Sequence, residues 1–324
     1  MTAMNSSTVP GPAPDSAGLP LADRSDALAA LVERLAAGTF AVRGRRGTLA
    51  TATVWQPGIV VTAAHVFRRS PAAITLVGGD GKTVEATLVG LDSSTDLALF
   101  RLAVDDAAAF APVTTGDAGS VRAGHFVVAV GRSGEGDPIA SSGIVNRAAG
   151  PWQTWLGGNL DRLIRLDGGV YEGLSGAPVA DARGAVIGLA SAALSRSYGV
   201  VVPASTVSRV VAALLANGHV ARPWLGIGAQ PVPVGGAAAE AGAGAATGLL
   251  ISSLAPGGPA ERAGLLIGDI VVRAAGQIAA DLRALRDALA AHVGRAATIS
   301  ILRGGVAREV EVQVGEWPTE RKFC

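Results

Sequence analysis

Two textures of apolar spacing divide the chain. From Phe40 to Val202, short runs rich in Val, Ile, Leu and Thr are broken by Gly, Pro and Asp. Thr48–Trp55, Gly58–Thr62, Thr83–Leu91, Leu97–Leu102, His125–Val130, Leu163–Leu166 and Ala185–Ala190 read as strands. Many short strands at even spacing predict a barrel or sandwich rather than βαβ units. On either side the apolar period lengthens to that of a helix. Leu28, Leu31, Val32 and Leu35 form one stripe, with Ser25 as cap and Gly38 as stop. Val207, Val210, Val211, Leu214 and Leu215 form another over Ala204–Asn217, with Ser205 or Thr206 as cap and Gly218 just past its end. Arg222-Pro223 then marks a boundary. Beyond it strands are expected at Gly248–Leu254, Asp269–Ala274, Thr298–Arg303 and Glu309–Val314, with helices at Pro259–Ala263 and Asp281–His292. The Gly/Ala tract from Gly235 to Gly248 reads as a flexible loop. The expected layout is a disordered segment over 1–24, a mainly β domain over 25–218, a second domain over 222–316 and a tail over 317–324.

Composition narrows the function classes. The chain has 324 residues, 49% of them hydrophobic, enough for a sizeable core. Lys+Arg 27 against Asp+Glu 26 gives a net charge of +1, so no global field would draw in nucleic acid or an anionic membrane. The densest basic cluster, Arg43, Arg45 and Arg46, reads as a solvated loop. The lone cysteine, Cys324, excludes a disulfide framework. The first residues lack a basic segment followed by an apolar one, which by sequence points to the cytoplasm. No apolar run reaches the roughly 18 residues of a spanning helix. His65, His125, His219 and His292 are scattered, so no metal site is expected. The Gly-rich tract lacks the Lys-Ser/Thr ending of a phosphate loop, so no cofactor is expected either.

Three short segments carry candidate chemistry: Thr62-Ala63-Ala64-His65, Asp96-Leu97-Ala98-Leu99 and Gly173-Leu174-Ser175-Gly176-Ala177-Pro178. A serine hydroxyl is a poor nucleophile near neutral pH and needs a base to take its proton as it attacks. A histidine suits that role, and a buried carboxylate on its second ring nitrogen fixes the tautomer and stabilises the imidazolium. Ser175 is therefore the candidate nucleophile, His65 the base and Asp96 the orienter. The backbone amides of Gly173 and Ser175 are candidates for an oxyanion hole. The chain order His…Asp…Ser is that of chymotrypsin-type proteases. An α/β-hydrolase competes formally through Ser175, Asp269 and His292. Its Gly-x-Ser-x-Gly elbow fails at Ala177, however, and Pro178-Val179 leads into a strand rather than a helix.

With these segments the chain resembles the HtrA/Deg family of serine proteases, a branch of the trypsin-like superfamily. The resemblance spans Phe40 to Gly315. It rests on the three blocks above and on Val128–Gly131, Ser142–Val145 and Gly184–Ser191. Arg222-Pro223-Trp224-Leu225-Gly226-Ile227, Ala255–Val272 and Leu302-Arg303-Gly304-Gly305 extend it. It implies a chymotrypsin-like double β-barrel, with the triad between two six-stranded barrels, followed by a PDZ domain. Leu174 and Ala177 stand where the family has Asn and Gly, and Gly47-Thr48-Leu49-Ala50 replaces its Gly-Ser-Gly block. The resemblance places a primary substrate pocket at Gly169 and Val170, with Leu189, Ala190 and Ser191 as a wall. With no acid at the pocket floor, it favours small or apolar side chains, and Asp167 reads as a turn residue. It implies a PDZ carboxylate loop at Leu225, Gly226 and Ile227, while Leu282, Leu285 and Leu289 read as core. The implied activity is ATP-independent cleavage of unfolded proteins, with unfolded chains or peptide C-termini as partners. The alternative is a catalytically idle peptide-binding adaptor or chaperone. A periplasmic location and a homo-trimer are further implications of the resemblance.

Overall fold

The computed structural model describes residues 20–44, 47–67, 70–103, 110–235 and 246–317. The expected disorder of 1–19, Arg45 and Arg46, most of the Gly/Ala tract and the end of the tail lie outside these residues. Two compact units divide between Arg209 and Val210. That division falls inside a helix, where composition does not change, rather than at Arg222-Pro223.

In the first unit, helix α1 spans Leu21–Ala36. It starts four residues before Ser25, so 20–24 are ordered and Ser25 is not its cap. Pro20 occupies the N-cap position, and Asp23 sits in the first turn, where the helix dipole favours an anion. Leu31, Leu35 and Ala36 are buried.

The first barrel is built from β1 (Thr39–Gly44), β2 (Gly47–Gln56), β3 (Ile59–Ala63), β4 (Ala73–Val77), β5 (Thr83–Asp92) and β6 (Leu97–Leu102). They close in the order β1-β2-β3-β6-β5-β4. The second barrel is built from β7 (Phe126–Arg132), β8 (Pro138–Ala149), β9 (Leu163–Leu166), β10 (Pro178–Asp181), β11 (Val186–Ser191) and β12 (Val200–Pro203). It closes as β9-β12-β11-β10-β7-β8, which read from β7 is the same winding scheme as the first. Phe40, Leu76 and Phe100 are fully buried in one core, and Ile164, Val179, Ile187 and Val201 fill the other.

Arg132, at the end of β7, ties the barrels together. Its guanidinium donates to Thr39 O at 2.8 Å and also to Gly136 O and Ala36 O. Burial pushes this arginine below its ordinary pKa, while Asp137 and Asp80 oppose the shift.

Helix α2 (Ala204–Asn217) leads from β12 and ends at Gly218, whose φ of 75° suits a residue without Cβ. Neither Ser205 nor Thr206 precedes it. The helix begins at Ala204, and the Thr206 hydroxyl accepts from Asp161 N at 2.9 Å instead.

The second unit is a sheet in the order β13 (Ile227–Pro233), β14 (Thr247–Leu254), β15 (Ile270–Ala274), β16 (Ala296–Arg303) and β17 (Val306–Gln313). Helices α3 (Pro259–Arg262) and α4 (Leu282–Leu289) accompany it. Asp281 caps α4 by accepting from Ala284 N at 2.7 Å. Leu285 and Leu289 join a core with Leu249, Ile251, Ile299 and Ile301, and Leu282 packs against its margin.

Candidate active site

The ladder between β3 and β6 explains how His65 meets Asp96. Ala63 pairs with Leu97, so the end of β3 lies beside the start of β6. His65 follows on a short 3-10 turn, Ala64–Val66, and Asp96 immediately precedes β6. His65 Nδ1 lies 2.8 Å from Asp96 Oδ2 and 3.0 Å from Oδ1, and the His65 amide donates to Oδ1 at 2.8 Å. The Asp96 backbone has φ 61°, a left-handed conformation that short polar side chains tolerate best. Asp96 is 3% exposed, whereas the His65 side chain keeps 32% of its surface open, so one face of the ring reaches solvent.

Ser191 completes the carboxylate's partners. Its hydroxyl donates to Asp96 Oδ2 at 2.6 Å. Sequence reasoning assigned Ser191 only to a pocket wall. A serine ending an apolar strand carries no local sign of a contact 95 residues away.

Ser175 belongs to the second barrel, on the loop between β9 and β10, and is 6% exposed. This loop is stitched to both barrels. Gly176 N donates to Ala190 O at 2.7 Å, and Thr51 N donates to Ser175 O at 2.9 Å. Thr53 Oγ1 donates to Gly176 O at 2.8 Å. Gly176 has φ 82°, and a Cβ there would lie 2.3 Å from Thr51 O and 2.9 Å from Ala63 N, two residues before His65. The approach of the serine loop to the histidine therefore depends on a bare glycine. Gly176→Ala is expected to lose about 1–3 kcal/mol of stability from its backbone alone, with the clash adding to it. Urea unfolding of the two proteins measures this.

Among the described residues no hydrogen bond joins Ser175 Oγ to His65 Nε2. Nucleophile–base contacts commonly tighten only when substrate binds. Gly173 takes φ 82°, and neither its amide nor that of Ser175 has an acceptor among the described residues. Two free N–H groups flanking a serine can bind an oxyanion. Leu174 is buried at 3% exposure, and Ala177 is fully buried.

Beside this loop a pocket is lined by Gly169, Val170, Leu174 and Ala190, with Ser141–Ile144, Leu166, Asp167 and the inner residues Val127, Ala129 and Val179. Leu189 and Ser191 are not among its lining. Asp167 is its single charged member.

In the second unit, Leu225 is buried, Gly226 has φ 76°, and Ile227 opens β13. The Leu225 and Gly226 amides have no acceptor among the described residues, while their carbonyls accept from Ala260 N and Ala255 N. Asp269, by contrast, is fully engaged. Arg303 grips both its oxygens at 2.8 and 2.7 Å, and Leu266 N donates at 2.8 Å. Burial pushes Asp269 up, but these bonds outweigh it and hold the carboxylate below its ordinary pKa. It is an anchor within its own sheet, which removes the Ser175, Asp269 and His292 arrangement. Among the described residues no helix is long and apolar enough to cross a membrane.

Two closed barrels with one winding scheme and a His–Asp pair facing a serine loop define a chymotrypsin-like serine peptidase fold, here followed by a PDZ domain. A trypsin-like peptidase family model matches residues 50–189, and a PDZ family model matches 225–314. A probable periplasmic serine endoprotease, DegP-like, of Rhizobium meliloti (strain 1021) is 34% identical over 280 residues, 83% of this chain and 53% of that protein. One with the same description from Halomonas elongata is 32% identical over 276 residues, 82% of this chain and 56% of that protein. The chain thus spans about half the length of the curated relatives it matches. Among solved structures, the HtrA-type protease AlgW with a decapeptide is 27% identical with a TM-score of 0.71, covering 84% of each chain. On these matches the chain is grouped with the HtrA-type serine proteases.

Proposed function

We propose that this chain is an ATP-independent serine endopeptidase that cuts unfolded polypeptides through an acyl-enzyme. One observation carries the reading: a buried Asp96 bonded to His65 Nδ1, close to a serine loop whose two amides are free. With Nδ1–H donating to Asp96, His65 presents an unprotonated Nε2. Ser175 Oγ attacks the scissile carbonyl and passes its proton to Nε2. The Gly173 and Ser175 amides receive the oxyanion. On collapse, His65 returns the proton to the leaving amine. A water activated by the same nitrogen then hydrolyses the ester.

The apolar lining around Gly169, Val170 and Ala190 supports a preference for small or apolar side chains at the cleaved bond. The free amides at Leu225 and Gly226 support capture of a peptide C-terminus, with the peptide added beside β13. Tethering a client there raises its effective concentration at the serine. The periplasmic assignment of both relatives supports a periplasmic location, and the family resemblance adds a homo-trimer to the proposal.

A fluorophosphonate probe tests the reading, because an activated serine displaces its fluoride to form a stable phosphoryl ester. Mass spectrometry is expected to place the label on the peptide containing Ser175. A folded protein that takes up no label and leaves unfolded casein intact would be a peptide-holding adaptor instead.

A further inference from the structure

We infer that Thr51 is a positioning residue that holds the oxyanion hole of this chain open. The inference rests on Ser175 being the nucleophile.

Thr51 lies on β2 in the first barrel, yet it grips the serine loop of the second barrel twice. Its backbone N donates to Ser175 O at 2.9 Å, and its hydroxyl donates to Gly173 O at 2.8 Å. The first bond is open to any residue except proline. The second needs a side-chain hydroxyl. Its direction is set from the other side, since Thr51 Oγ1 accepts from the Arg132 amide at 3.4 Å and therefore points its own proton at Gly173. Thr51 is fully buried, so no water competes for that proton.

The consequence falls on the peptide planes that adjoin the two hole-forming amides. Gly173 O and Ser175 O are both turned toward β2, and Leu174 N is spent on Tyr171 O at 3.0 Å. The amides left over are those of Gly173 and Ser175. Glycine at 173 has a soft backbone, and a rotation about it could swing a carbonyl toward the hole and fill it with the wrong charge. The Thr51 hydroxyl opposes that rotation before substrate arrives, which is preorganisation of the donors. Gly131 makes room for this arrangement. A Cβ at 131 would lie 2.4 Å from Thr51 Oγ1 and 2.8 Å from Leu174 Cδ2.

Thr51→Val keeps the shape and removes the donor. It is expected to lower kcat on an unfolded substrate by about 10- to 100-fold with KM changed less than about 3-fold, since the loss appears only when an oxyanion forms. Affinity for a peptide boronate, whose tetrahedral adduct occupies the hole, is expected to fall in parallel. Binding of an uncleaved peptide to the Ser175→Ala background is expected to hold. Thr51→Ser returns the hydroxyl and should recover most of the lost kcat. Gly131→Ala displaces the same hydroxyl without altering Thr51, so it serves if Thr51→Val does not fold. A folded Thr51→Val or Gly131→Ala with wild-type kcat and wild-type boronate affinity overturns the inference. If the wild-type protein itself takes no fluorophosphonate and cuts nothing, the protease reading fails instead, so the two failures are distinct.

Discussion

Ser175→Ala is expected to reduce kcat for peptide-bond cleavage by about 10⁶-fold while leaving KM close to that of the wild type. The alcohol is the only proposed covalent partner of the substrate, so no smaller change removes as much. Some rate should persist, because the Gly173 and Ser175 amides still face the carbonyl and can stabilise attack by water. His65→Ala should cost nearly as much, and the double variant hardly more, since nucleophile and base act as one unit. Single-turnover cleavage of an unfolded substrate, followed for hours with the variants, measures all three. Independent losses that multiply would show that Ser175 and His65 do not cooperate.

Asp96→Asn comes second, with an expected loss of about 10⁴-fold in kcat. Among the described residues, the hydrogen-bond partners of this carboxylate are all donors: His65 N, His65 Nδ1 and the Ser191 hydroxyl. A carboxylate accepts from all of them, whereas an amide brings two hydrogens of its own. When its NH₂ faces the ring, Nδ1 must become the acceptor, and the ring proton moves to Nε2. A protonated Nε2 cannot take the proton of Ser175. The variant should fold, keep its peptide affinity and lose its fluorophosphonate reactivity, which stopped-flow labelling can follow. Labelling at the wild-type rate would mean that another group orients His65.

Much of this arrangement is legible in the chain. Leu-rich apolar runs such as Leu97–Leu102 and Leu163–Leu166 are strands as expected, because buried barrel strands are apolar enough to stand out. The α2 stripe also matches its helix, Ala204–Asn217. Strand β8 was hidden because its partly exposed length mixes Ser, Gly and Ala with only Ile139, Ile144 and Val145 as large apolar residues, too few and too irregularly spaced to read as alternation. Strand β13 was hidden by Pro231 and Pro233, which are compatible with a sheet edge but mask a strand in a sequence. The start of α1 was misplaced because a capping serine and a proline both signal a helix start, and the proline prevailed. At the site, the motif residues could be named but not their supports. Thr51 looks like any β-branched strand residue. Its bond to Gly173 crosses 122 positions, and no local pattern encodes such a distance.

The closed barrels have a consequence for the proposed action on unfolded chains. Sticky, extended polypeptides grow onto unpaired sheet margins, and both barrels have none to offer. The run of strands from β13 to β17 in the second unit has two outer margins, and each is guarded. Its β17 margin carries Arg308, Glu309 and Glu311, charges that repel a growing stack. Its β13 margin loses two donors at Pro231 and Pro233. What stays receptive is the stretch Ile227–Gln230, immediately beyond the Leu225-Gly226 amides. On the proposed reading, a client adds to this margin over one short register, beside the Leu225-Gly226 amides offered to its terminus, so the same prolines that shorten the margin also limit how far a bound chain can extend along it.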